Sequence, residues 1–183
     1  MSNGDHPHIL KPAVDESVFV AEGARILGDV EIGAGSSVWF NAVIRGDAGK
    51  ITIGKDANIQ DNAVVHSDGG APAVIGDEVT IGIGAVVRSC RIGRGSLIGM
   101  NATVMSHAEI GEYSIVAANA LVPCRAKYPP RSLILGMPAK RIRELTDKEI
   151  KGNETAVRIY KERKEKYKAQ TITGFSGKPI DKT

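Results

Sequence analysis

Aromatic residues make up only 4% of this chain, so its core cannot be built on large rings and must rely on smaller aliphatic side chains. Cysteine is equally scarce. Cys90 and Cys124 are too few for a disulfide framework in 183 residues, and they read as reduced thiols with no redox role. No apolar run approaches the roughly 18 residues of a membrane span. Residues 1–12, opening MSNGDHPH, lack the basic, apolar and small-residue regions of a secretory signal, so a cytoplasmic location is expected. Excess charge is small as well: the net value is +3, concentrated where 140–168 reads KRIRELTDKEI and YKERKEKYK. Glu144, Glu149, Glu154, Glu162 and Glu165 interrupt that run at helical spacing, which describes a solvated helix face and not a nucleic-acid surface. The length fits one domain with a short appendage.

What the chain has in abundance is a repeat. Aliphatic residues recur at every sixth position: Val14, Val20, Ile26, Ile32, Val38, Ile44; Ile53, Ile59, Val65; Ile75, Ile81, Val87; and Ile92, Ile98, Val104, Ile110, Val116, Val122. The period breaks only between these four groups. A period of six suits neither an α-helix nor a hairpin sheet, but it suits short strands that turn a corner every six residues and point the aliphatic inward. Three such hexads close one coil of a prism, and 14–122 makes about six coils stacked through parallel ladders. Gly33, Gly54, Gly76, Gly93 and Gly111 each follow a repeated aliphatic and are expected at the corners. Pairs such as Gly82 and Gly84, or Gly93 and Gly95, belong to no strand–turn–helix unit and are not a phosphate cradle.

After 122 the repeat stops. Pro123, Pro129, Pro130 and Pro138 mark 123–145 as an irregular connection without ladder bonding. Thr146 and Glu149 form a capping-box pattern that opens a helix over 146–170, with Ile150, Val157, Tyr160 and Tyr167 close to one face. That stripe lies along a prism wall of this chain or of a neighbour. Residues 1–13 are an N-terminal segment and 171–183 a frayed tail.

With three hexads per coil, the residues following Ile26, Ile44, Val65, Val87 and Val104 stack into one external column: Leu27, Arg45, His66, Arg88, Met105. Two arginines flank a histidine at a spacing of roughly 4.8 Å. The column is either a wall balanced by Asp47, Asp61 and Asp68 or an anion-binding cleft. Arg88 has no obvious counter-charge in its own hexad.

SVWFNAVIRGD (37–47), ITIGKDANIQDNAVVHSD (51–68), IGDEVTIGIGAVV (75–87) and the closing LGMPAKRIR (135–143) resemble the γ-class carbonic anhydrases and their hexapeptide-repeat relatives. The resemblance covers roughly residues 10–145. It implies a left-handed parallel β-helix, a homotrimer, and a metal site of three histidines between neighbouring prisms. His66 matches the first ligand. The other two positions fall on Ile83 and Arg88, of which one has no donor atom and the other is a fixed cation. Arg45 and Asp47 match the family's salt bridge near the site, and Gln60 matches the residue that positions the metal-bound water.

The expectation is therefore a trimeric γ-carbonic-anhydrase-like protein with no metal and no cofactor. It lacks CO2 hydration and acts as a structural or small-anion-binding protein through Arg45, Asp47, Gln60, His66 and Arg88. No catalytic residue is assigned. The enzymatic alternatives are acyl transfer from coenzyme A with His66 or His107 as base, and a metal-dependent hydratase or hydrolase with unusual ligands.

Overall fold

The computed structural model describes residues 10–172, so the start of the N-terminal segment and most of the expected tail lie outside the described residues. Short parallel strands stack into three columns, as the hexad rule requires. The first column aligns Ile26, Ile44, Val65, Val87, Val104 and Val122. The second aligns Val14, Ile32, Ile53, Ile75, Ile92 and Ile110, and the third Val20, Val38, Ile59, Ile81, Ile98 and Val116. Most of these side chains are fully buried and form one continuous axial core of Val, Ile and Ala. Cohesion comes from each coil covering the aliphatic layer of the next, so no large ring is needed inside.

The corners differ from the sequence expectation. The glycines that directly follow the aliphatics do not supply the left-handed turn. A Cβ on Gly33 would sit 2.9 Å from the Gly54 carbonyl carbon, so this position is small because the next coil passes too close. The left-handed residue comes two positions later, as in Gly35 (φ 75°) and Asp56 (φ 54°). Asn41, Asn62, Asn101 and Asn119 hold the same conformation at another edge, and asparagine, like aspartate, tolerates it more readily than most side chains.

The segment 123–145 is not irregular. Strand Lys127–Tyr128 pairs with Glu109–Ile110, and Ser132–Gly136 pairs with Ile115–Val116, beginning a seventh coil. Ser132–Gly136 then folds back on Ala139–Glu144 as an antiparallel hairpin. The prolines fail to break the ladder because Pro123, Pro129 and Pro130 lie outside the strands and Pro138 lies in the hairpin turn. Tyr128 takes the place of an aliphatic and donates its hydroxyl to the Ala139 carbonyl at 2.7 Å, which is why the period ended in the sequence while the coil continued.

The helix Asp147–Lys168 is capped by Thr146 and runs down the third face of its own prism. Tyr160 and Tyr167 meet the edge of Trp39 at 5.1 and 5.4 Å, and Trp39 is only 2% exposed. Polar side chains peg the helix to successive corners: Asn153 to the Gly95 carbonyl, Lys161 to Asp56, Lys164 to the Gly35 carbonyl and Lys168 to the Ser17 carbonyl. A helical turn of about 5.4 Å and a coil rise of about 4.8 Å are close enough to keep this match over several turns. No helix among the described residues is long and apolar enough to cross a membrane.

Candidate functional site

The strand registers bring Leu27, Arg45, His66 and Arg88 into one column on the first face, with Arg45 opposite His66 and His66 opposite Arg88. Each side chain follows an inward aliphatic and so points out of the prism. The arginines do not confront each other uncompensated. Arg45 donates from NH1 to Asp47 Oδ2 at 2.5 Å, while Arg88 donates from Nε and NH2 to Asp68 Oδ1 at 2.8 and 2.7 Å. The expectation that Arg88 lacks a partner holds only for its own hexad. Asp68 reaches it from the preceding coil, where Val65 and Ile75 are ten residues apart instead of six.

His66 lies between the two carboxylates, with Nε2 3.5 Å from Asp47 and Nδ1 3.8 Å from Asp68. Its Nε2 is buried and has no hydrogen-bond partner among the described residues. Asp68 is the best-anchored member. Ser106 Oγ donates to its Oδ2 at 2.8 Å, and its own N–H donates to Ser89 Oγ at 2.6 Å. Hydrogen bonds from Arg88 and then Ser106 hold the Asp68 carboxyl below the usual carboxylate range, and the Arg45 hydrogen bond does the same for Asp47. Sequence reasoning counted Asp68 only as a counter-charge and missed Ser89 and Ser106. The ten-residue spacing was the available signal for an added loop at that corner.

Gln60 stands apart from this cluster. It is buried near the helix-covered face, donating from Nε2 to Asn58 Oδ1 at 3.0 Å and accepting the Ile83 N–H at 3.1 Å. Asn58 passes the chain on to Thr80 Oγ1 at 2.8 Å. This amide relay fixes the corner that presents Ile83, whose side chain is 40% exposed. His107 is exposed at another corner with a left-handed backbone (φ 65°), where its N–H donates to the Ser89 carbonyl at 2.7 Å. Among the described residues, no group of three or more His, Cys, Asp or Glu is arranged to hold a metal ion.

Stacked hexads, one capping helix and an Arg–His–Arg column define a protein of the hexapeptide-repeat β-solenoid class. The six-repeat bacterial transferase hexapeptide model matches residues 89–124. Beyond that match, the chain is 53% identical over 149 residues to "Probable carbonic anhydrase" of Methanocaldococcus jannaschii, covering 81% of this chain and 94% of that protein. It is 43% identical to a carbonic anhydrase of Geobacillus kaustophilus, covering 86% and 87%. Against mitochondrial gamma carbonic anhydrase 2 of Arabidopsis thaliana the identity is 42%, and the chain spans about half, 52%, of that longer protein. A crystal structure of a hexapeptide transferase family protein from Anaplasma phagocytophilum superposes with a TM-score of 0.82 at 38% identity, covering 85% and 92%. The chain belongs to the γ-class carbonic anhydrase-like family, and its coils form the left-handed parallel β-helix of that family.

Proposed function

We propose that the protein is a homotrimer that does not hydrate CO2 and whose Arg45–His66–Arg88 column binds a small anion. The observation that carries this reading is the Arg88 guanidinium, tied to Asp68 immediately beside His66. The zinc ion of the family does not fit these residues. A catalytic zinc site takes three protein ligands with lone pairs and an open position for water. The positions matched to the second and third ligands carry Ile83, which has no donor, and Arg88, which stays charged at any physiological pH.

The faces of the prism favour a trimer. The third face is covered by the helix of the same chain, so Trp39 is not the exposed wall that would demand a partner. The second face is lined outwardly by Glu31, Thr52, Val74, Arg91, Glu109 and Lys127, a mostly polar row. The first face carries an outward apolar row, Val43, Val64 and Val86, broken by Thr103 before Leu121, beside the arginine column, with Leu27 48% exposed at the end of that column. Packing that row against a second copy buries it and brings a neighbour's surface over the unpartnered His66 Nε2.

Among the described residues, Arg88 NH1 and the Nε and NH2 of Arg45 have no acceptor, so they are the donors an anion meets. Because each guanidinium already has a carboxylate, affinity is modest and falls with salt. Calorimetric titration of bicarbonate, acetate and phosphate into wild type and Arg88→Ala, alongside metal analysis of the purified protein, tests the reading. Stoichiometric zinc, or equal anion binding by both forms, would sink it. Acyl transfer from coenzyme A is the second reading, supported by the transferase description of the matched repeat and by the exposed His107. A thermal shift with coenzyme A separates the two.

A further inference from the structure

Two irregularities of the repeat fall on the same edge of the prism in consecutive coils. Between Val65 and Ile75 the chain takes ten residues and pushes the loop Ser67–Pro72 outward; between Val87 and Ile92 it takes only five and draws the corner in. The next corner, through His107, is of ordinary length. An overhang therefore lies beside a recess, and between them is an open cleft of about 170 Å³ whose lining includes Ala71, Pro72, Ser89, Arg91, His107 and Glu109. A liquid water occupies about 30 Å³, so the space is suited to a molecule of a few heavy atoms.

The chemistry of the lining is divided. Pro72, which is exposed, and the edge of Ala71 offer a small apolar surface, while Ala108 is fully buried beneath it. Arg91 is exposed and forms no ion pair with any carboxylate among the described residues. Its register neighbour Glu109, the one carboxylate on the wall, is taken by Lys127 at 2.7 Å. His107 is exposed and its ring has no hydrogen-bond partner there either. Ser89 is 2% exposed; it accepts from the Asp68 N–H, and no acceptor for its own proton lies among the described residues. Cys90 is the inert part of the floor, since burial pushes its thiol up to about 12.

We propose that this cleft binds a small aliphatic carboxylate, with the Arg91 fork holding the carboxylate and His107 donating a second hydrogen bond, while Pro72 and the edge of Ala71 flank the alkyl part. A guanidinium with no carboxylate of its own, beside a recess with one apolar side, selects a carboxylate over a fully polar oxyanion. The site is separate from the Arg45–His66–Arg88 column, and Arg91 lies on the second face, not the first.

The test is a titration of butyrate into the intact protein carrying 13C-methyl alanine, at fixed ionic strength, with phosphate in a parallel series. The Ala71 methyl resonance should shift saturably with butyrate. Arg91→Met, which keeps the aliphatic stem, should weaken that response about tenfold, and Arg88→Met should leave it intact. An unmoved resonance, an unchanged response in Arg91→Met, or tighter binding of phosphate than of butyrate would each overturn the proposal. Loss of the response in Arg88→Met alone would assign the carboxylate to the arginine column instead.

Discussion

Asp68 holds both Nε and NH2 of Arg88 on a single oxygen, Oδ1, while its other oxygen receives the Ser106 hydroxyl. The carboxylate is thus a lock supplied by an added loop, and it competes with any anion for the same guanidinium. Asp68→Asn keeps the size and the backbone bond to Ser89 but removes the charge. Anion affinity at the arginine column should rise roughly three- to fivefold, the scale of a surface ion pair. Calorimetry at low salt reads this directly, and unchanged affinity would mean that Arg88 does not contact the anion.

The proposed trimer rests on the apolar row of the first face. Val86 is 37% exposed in the single chain and lies at the middle of that row, so a charge there has no way to be buried without cost. Val86→Arg should give a monomer mass by light scattering at micromolar concentration, with an unchanged far-ultraviolet circular dichroism spectrum. If the variant keeps the wild-type mass, the subunits meet elsewhere.

How much of this was legible in the residues divides along a physical line. Three hexads per coil admit one stacking register once the breaks in the period are read as loops that leave the stacking intact, and the alignment of Arg45, His66 and Arg88 followed from that count. The path of an added loop follows no period, and the reach of Asp68 to Arg88 was therefore hidden. Tyr128 hid the seventh coil, because an aromatic at an inward position looks like the end of an aliphatic repeat. The burial of Trp39 was hidden as well. A helix stripe shows that something is covered, not whether the covered wall belongs to the same chain.

Trp39 is the only tryptophan, and it makes the docking of the helix measurable. Its ring lies against Phe19 as well as Tyr160 and Tyr167, and its Nε1 donates to Ser37 Oγ at 3.0 Å. Removing the Tyr160 ring should admit water and shift the tryptophan emission to the red. Trp39→Ala should lower stability in urea by about 3–5 kcal/mol, the range for a buried large ring. A smaller loss would show that the helix is held mainly by its polar pegs.

The helix start carries the clearest pH dependence. Glu149 accepts two bonds from Arg143 and one from the Thr146 N–H, and the Arg143 hydrogen bond is the largest cause of its carboxyl falling to about 2 from an ordinary 4.5. A depressed carboxyl stabilises the folded state above the unfolded value, and the contribution is lost as pH falls through the folded one. The stability difference between wild type and Glu149→Gln should therefore be full above about pH 5 and vanish between 4.5 and 2. Melting temperatures across that window check the sign. A difference that grew with acid would contradict the capping box.

Ile83 is partly exposed and presented by a corner that Gln60 fixes, and Arg88 sits beside His66 in the column. Replacing both by histidine supplies two donors at the positions that match the family's ligands and removes the cation that repels a metal. Ile83→His with Arg88→His should therefore bind zinc about 100-fold or more tighter than wild type, with release by chelator restoring the metal-free form. Since the proposed ligand set spans two subunits, adding Val86→Arg should abolish the gain. Wild type, lacking the donors, should stay at background in CO2 hydration even after incubation with zinc. If the double variant takes up no metal while remaining a trimer, the assignment of Ile83 and Arg88 to the ligand positions is wrong. If it binds zinc equally well as a Val86→Arg monomer, the site is built within one prism and the proposed interface does not form it.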